Sequence, residues 1–289
     1  MRTLSPKHIL HVFLLLLGAV WQICAQSPYF SFGKLTTEQG LSQDFVTSIA
    51  QDREGFLWFG TNDGLTRYDG RRCVVFRNLP NDPSSLPDNR ITGLTTDTQG
   101  RLWISTFQGL CLYTPATRQF RRVRTGLQPD GAADVCCSNM AFDRNGTGWA
   151  LADTLLMRLD PQTLKTEFFK IPCRTKTECQ VYADSKGRVW VTFPGQHLLR
   201  FDIAQKKFTY MRGLDNPRGD PRPWPMWVQE DSRGVVWGSD WDKAFYRYDE
   251  QQGLFVDLPD SNGIATVVLL EDRPGTEPMI WAGGSHHGL

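Results

Sequence analysis

Apolar and polar residues alternate in short runs along most of this chain, and Gly and Asp punctuate the runs. A two-residue alternation of this kind predicts strands, because successive side chains on a strand point to opposite faces. The 3.6-residue apolar stripe of a helical repeat is missing. Each run set reads as four strands. An apolar strand such as Phe45 to Ala50 or Ile264 to Leu270 comes first, followed by a tight Asp-x-x-Gly turn. Asp suits the first turn position, where its carboxylate accepts a local backbone N–H, and Gly suits the last. A strand built around a Trp follows. A third strand comes next, seen as Gly64 to Asp69 and more loosely as Leu198 to Asp202. An outer strand closes the unit, as in Cys73 to Arg77, Phe120 to Arg124 and Phe208 to Arg212.

The unit repeats. Asp52 to Thr61 (DREGFLWFGT) returns as Asp97 to Thr106 (DTQGRLWIST), Asp143 to Trp149 (DRNGTGW), Asp184 to Thr192 (DSKGRVWVT) and Asp231 to Ser239 (DSRGVVWGS). A looser copy carries Asp272 and Trp281. The structural tryptophans Trp58, Trp103, Trp149, Trp190, Trp237 and Trp281 stand 45, 46, 41, 47 and 44 residues apart. Four strands at this period predict an all-β fold, a β-propeller of four-stranded blades with about six repeats visible. Each tryptophan is expected to pack between neighbouring sheets. The third and sixth copies depart from the pattern, with Thr147-Gly148 before Trp149 and Glu277-Pro278-Met279 inserted before Trp281, so those blades are expected to be less regular.

The repeated core Asp-x-x-Gly-x-Leu/Val-Trp-x-Gly/Ser-Thr, with the Gly64 to Asp69 strand behind it, resembles the two-component regulator propeller family. So does the opening Leu35 to Ser42, followed by Val46 to Asp52. The resemblance covers nearly all of residues 29–289. It implies the periplasmic sensor of a hybrid two-component system histidine kinase. Such sensors bind breakdown products of complex glycans, signal as dimers, and have propellers that are usually seven-bladed. On that reading the ring here is incomplete, or part of a seven-bladed propeller truncated at the C-terminus, and Tyr29 to Leu35 would be the outer strand of the last blade. Kinase, receiver and DNA-binding parts are expected in a longer parent, where a homodimer would form.

Residues 1–26 read as a signal peptide: Arg2 and Lys7 precede an apolar run from Val12 to Val20, and Ile23-Cys24-Ala25-Gln26 offers a cleavage site. The run is too short to span a bilayer as a helix. The expected domain is therefore an exported, periplasmic body at 27–289. Charge is balanced, 32 Lys plus Arg against 31 Asp plus Glu, with no basic stripe, which argues against nucleic acid as a partner. The remaining cysteines, Cys73, Cys111, Cys136, Cys137, Cys173 and Cys179, have no metal-site spacing and read mainly as buried thiols. Cys173 and Cys179 flank a short polar loop where a disulfide is an open alternative.

Chemistry is expected on one face. In a four-stranded blade the second-to-third and fourth-to-first loops emerge together, and the long irregular segments Leu79 to Asn89 and Gly213 to Pro223 are fourth-to-first loops. That face carries Phe107, Phe193, Trp224, Trp227 and Trp241, with Asn62, Asp63, Gln108, Asp240 and Asp242. Aromatics that stack on sugar rings, with amides and carboxylates for hydroxyls, suit a small-molecule ligand of the oligosaccharide class. The plain alternative for any single one is packing between blades or capping a turn.

No cofactor is called for. The Asp-x-x-Gly turns lack the further acidic ligands of a calcium loop, and the adjacent His286-His287 are poorly placed to converge on one ion. Only His197, His286 and His287 follow the leader, and neither a nucleophile elbow nor a phosphate loop is present. No catalytic residue is therefore assigned. The alternatives to a sensor are a protein-interaction scaffold and an exported propeller lyase or hydrolase.

Overall fold

The structure is a computed structural model that describes residues 33–127, 136–172, 179–193, 197–211, 227–239, 245–257, 267–271 and 279–283. The leader 1–26, most of Tyr29 to Leu35 and Cys173 lie outside the described residues; Gly33 to Leu35 are not in a strand. The chain divides into two units, Met1–Leu35 and Thr36–Leu289, and every described strand belongs to the second.

The strands form antiparallel meanders in chain order. Sheet 1 contains β1 (Val46–Gln51), β2 (Leu57–Thr61), β3 (Gly64–Tyr68) and β4 (Cys73–Phe76). Sheet 2 contains β5 (Ile91–Thr96), β6 (Leu102–Thr106), β7 (Gly109–Thr114) and β8 (Gln119–Val123). Sheet 3 contains β9 (Ala141–Phe142), β10 (Gly148–Ala152), β11 (Leu155–Leu159) and β12 (Thr166–Lys170). Sheet 4 contains β13 (Gln180–Ala183), β14 (Arg188–Phe193), β15 (His197–Asp202) and β16 (Lys207–Tyr210). Sheet 5 contains β17 (Trp227–Glu230), β18 (Val236–Ser239), β19 (Phe245–Asp249) and β20 (Leu254–Asp257). Sheet 6 is described as the pair β21 (Val267–Glu271) and β22 (Met279–Gly283). These are the expected propeller blades, and the first strands of sheets 1 and 2, and of sheets 3 to 6 in succession, lie beside one another.

The repeated turn is tighter than one local bond. In each of five copies one carboxylate oxygen of Asp accepts the backbone N–H groups two and four residues on. The other oxygen accepts the indole N–H six residues on, at 2.7–3.1 Å. The glycine between them, as in Gly100 at φ 73°, holds the left-handed conformation that closes the turn. The turn thereby orients the tryptophan as well as reversing the chain.

The oriented rings fill the space between blades. Four apolar cores lie between successive pairs of sheets 1 to 5, built around Trp58, Trp103, Trp149 and Trp190 in turn. Trp58 meets Tyr113 of the next sheet at 4.7 Å, Trp149 meets Phe201 at 5.7 Å, and Trp190 meets Tyr248 at 5.0 Å between ring centroids. Because both faces are covered, β6, β10 and β14 are buried along their whole length and lose the alternation shown by β1. Trp237 is only half-buried, and the side chain of Trp281 lies outside the described residues. Cys111 and Cys137 are buried in these cores, and burial pushes the Cys111 thiol upward.

Sheet 3 is irregular, as its sequence suggests. Its first strand has two residues, where β5 has six. The Ser138 hydroxyl accepts the Leu151 N–H at 2.8 Å, and Leu151 O accepts the Ser138 N–H at 2.9 Å, so a side chain replaces part of the ladder.

Candidate functional site

The loop face is built where the second-to-third hairpins meet the segment entering the next blade. Gly64 N–H donates to Asn89 O at 2.8 Å, and Phe107 N–H donates to Arg90 O at 3.0 Å. The Asn62-Asp63 and Phe107-Gln108 hairpins are thus tied to two adjacent residues, Asn89 and Arg90 respectively. Asp63 pairs with Arg77 at 2.9 Å, and the Arg90 guanidinium lies 3.6 Å from the centre of the Phe107 ring. Phe107 is 46% exposed, far more than a core aromatic. Asn62 and Gln108 are exposed beside these groups.

The loop behind them is pinned. Asn78 holds it across its base, with N–H to Asn89 Oδ1 at 2.7 Å and Nδ2 to Leu86 O at 2.6 Å. Arg122 of β8 donates to Ser85 O, Asp82 O and Leu86 O at 3.0–3.2 Å. The result is a fixed rim on which one aromatic, two amides, a carboxylate and two guanidinium groups face solvent. Such a set stacks on an apolar ring face and bonds hydroxyls, with little ordering left to do on binding.

The other expected residues fall differently. Phe193 is 3% exposed and belongs to the core between sheets 3 and 4, so it packs between blades and is unavailable to a ligand. Trp227 is half-buried at the start of β17, opposite Ser239. Trp224, Asp240, Trp241 and Asp242 lie outside the described residues, as do Gly213 to Pro223 and His286-His287. Arg77 and Arg90 are contributors that the sequence reading missed; both sit at the ends of the long Leu79 to Asn89 loop.

On the opposite face, in the turns between first and second strands, both oxygens of each turn Asp accept N–H groups. Burial opposes ionisation of Asp97 and Asp231, yet the indole, backbone and arginine donors hold both carboxyls below their ordinary range. No cluster of metal-ligating side chains occurs among the described residues. A cavity of about 440 Å³ opens on this face between sheets 2 and 3, lined by the turns at Thr98 to Arg101, Asn145 to Thr147 and Asp160 to Gln162.

This architecture defines a class: all-β proteins made of four-stranded propeller blades. Within it, the two-component regulator propeller model matches residues 40–63 and 85–108, which fall in the first two repeats. Each matched segment ends in one of the two loop-face hairpins. A 62-residue stretch, 22% of this chain, is 45% identical to histidine kinase P4 of Formosa agariphila, of which it covers 4%. The fold is similar to the extracellular domain of a protein described as a hybrid two-component system from B. thetaiotaomicron. That match has a TM-score of 0.67 and 21% identity, over 87% of this chain and 34% of the other. Virginiamycin B lyase from Staphylococcus aureus shares the fold more distantly, with a TM-score of 0.54 and 15% identity over 75% of this chain and 72% of the lyase. The chain spans about a third of the length of the sensor-type neighbour. No helix among the described residues is long and apolar enough to cross a membrane.

Proposed function

We propose that this chain is the exported sensing segment of a hybrid two-component receptor, and that its loop face binds a glycan-derived oligosaccharide. The observation that carries the reading is the exposed Phe107–Arg90 stack, fixed beside Asn62, Asp63 and Gln108 on a pinned loop. A ring face stacks on the free side of Phe107, while the amides, Asp63 and Arg77 take hydroxyls. The family of the repeats and the extracellular sensor neighbours support the receptor context. Residues 1–26 act as the export signal, and the kinase, receiver and DNA-binding parts belong to the longer parent, whose dimer carries the signal.

Thermal unfolding of residues 27–289 with and without a panel of glycan oligosaccharides tests this. A ligand that binds only the folded chain raises Tm by mass action. An upward shift with one oligosaccharide, abolished in Phe107→Ala and without consumption of the sugar over hours, is the expected result. Consumption of the sugar would replace the sensor by a lyase or hydrolase. No shift across the panel would remove the oligosaccharide reading.

A further inference from the structure

The turn face holds a second feature with a chemistry of its own. Arg101 and Arg188 occupy the same place in their repeats, four residues after the turn aspartate, and each donates Nε to that aspartate at 2.6 Å. Arg188 then reaches across to sheet 5, where its two terminal nitrogens hold Glu250 in a fork at 2.8 and 2.9 Å. Glu250 sits in the turn between third and fourth strands. There Asp249 accepts the N–H groups of Gln251 and Gln252, and Gly253 is left-handed at φ 68°.

Sheet 3 presents the same turn to Arg101. Asp160 accepts the N–H groups of Gln162 and Thr163, and Leu164 is left-handed at φ 59°. The residue in the place of Glu250 is Pro161, which has no carboxylate. Arg101 accordingly has a buried terminal nitrogen, Nη2, with no hydrogen-bond partner. The Arg101 side chain as a whole is 26% exposed, and a guanidinium without a second carboxylate gains a charge-assisted bond from an anion that reaches it. The cavity of about 440 Å³ lies here, and Arg101, Pro161 and Lys165 all line it. The acids of the lining are already engaged: Asp160 by its own turn, Glu167 by Arg158 at 3.4 Å and Lys206 at 2.7 Å. The Lys165 ammonium acts on Asp160 only at longer range, helping the turn N–H groups to lower its pKa, and forms no close ion pair among the described residues. Gln99, Asn145 and Gln162 add amides to the wall.

We infer that the cavity between sheets 2 and 3 is a binding site for a small polyhydroxylated carboxylic acid of the sugar-acid type. The ligand carboxylate takes the place that Glu250 fills one interface further on, paired with Arg101 and Lys165, and the amides bond its hydroxyls. This site lies on the opposite face from the Phe107 rim and stands independently of the function proposed for that rim.

Isothermal titration of the full chain with D-glucuronate, with D-glucose as the uncharged control, tests the inference. Saturable binding of glucuronate and at least tenfold weaker binding of glucose are expected. Pro161→Glu supplies the missing carboxylate from within the chain, so it weakens glucuronate binding at least tenfold while leaving the protein folded. Lys165→Gln, a change at an exposed position, weakens it severalfold, and Phe107→Ala leaves it unchanged. The inference is overturned if wild-type chain shows no saturable binding of glucuronate, or if glucose binds equally well. It is also overturned if glucuronate binding survives undiminished in Pro161→Glu or, should that variant not fold, in Lys165→Gln.

Discussion

At the scale of single residues, the six-residue spacing from Asp to Trp is the most informative feature of the chain. Taken from the sequence alone, the turn and the packed tryptophan are separate features. Their constant separation in five repeats was the visible sign that one carboxylate serves both, because an indole N–H buried between sheets needs an acceptor. Asp143 isolates this bond, since Thr147 stands where Arg101 and Arg188 add a salt bridge in other blades. In Asp143→Asn the amide oxygen still accepts the two backbone N–H groups, but the amide nitrogen faces the Trp149 indole as donor against donor. The expected cost is ~1–3 kcal/mol, the penalty of an unsatisfied buried group, read as a lower urea midpoint. In a Trp149→Phe background the same change costs less than half as much, because no indole N–H remains. Equal costs in both backgrounds would show that the indole bond contributes nothing. The candidate rim was partly legible at this scale. Phe107, Gln108, Asn62 and Asp63 follow from loop position alone, whereas Phe193 did not separate from them, because a strand-end aromatic reads the same whether it faces solvent or the next blade.

At the scale of elements, strands and turns were readable because each is specified locally; how deeply each strand is buried is specified by its neighbour. Ile49 and Leu94 hold matching places in β1 and β5, yet Ile49 is 61% exposed and Leu94 5%, since only Leu94 lies in a core between two sheets. Close approach of blades is equally invisible in a periodic pattern. A Cβ on Gly93 would lie 2.6 Å from Asn139 Oδ1 and 2.7 Å from Asn139 Cα, which is backbone and cannot swing away. Gly93→Ala should therefore cost ~1–3 kcal/mol by overpacking, and an unchanged urea midpoint would mean that sheets 2 and 3 are further apart than described. The charged clamp between sheets 4 and 5 gives a pH signature. The Arg188 fork, with help from Lys186, draws the Glu250 carboxyl from its ordinary 4.5 down to about 2. A group whose folded value is depressed stabilises the fold above its unfolded value and loses that contribution as pH falls through the folded one. The stability difference between wild type and Glu250→Gln should be full at pH 7, shrink from about pH 4.5 downward and vanish near pH 2. Because the Glu250 side chain is 43% exposed, the difference should be modest and should fall with added salt. A difference that persists unchanged at pH 2 would assign the effect to packing.

At the scale of the whole molecule, stability is distributed along a line of nearest neighbours. Each apolar core is shared by two successive sheets and seeded by the tryptophan of the earlier one, so among the described residues no core spans all the blades. That arrangement resembles repeat arrays, where stability is roughly a sum of unit and interface contributions. It predicts that damage stays near its interface. Trp149 is fully buried and in contact with Phe169 of its own sheet and Phe201 of the next. Trp149→Ala leaves a cavity between sheets 3 and 4 and should cost ~3–5 kcal/mol. Native-state hydrogen exchange separates the two ways that loss can spread. If neighbour coupling dominates, amides of β10, β11, β13 and β14 lose most protection while β2 and β6 lose little, because sheets 1 and 2 keep the Trp58 core intact. If protection falls uniformly across all sheets, the blades unfold as one cooperative body, and a ligand on the Phe107 rim would then stabilise every interface alike. The first outcome confines any binding effect to the blades that hold the ligand and their immediate neighbours.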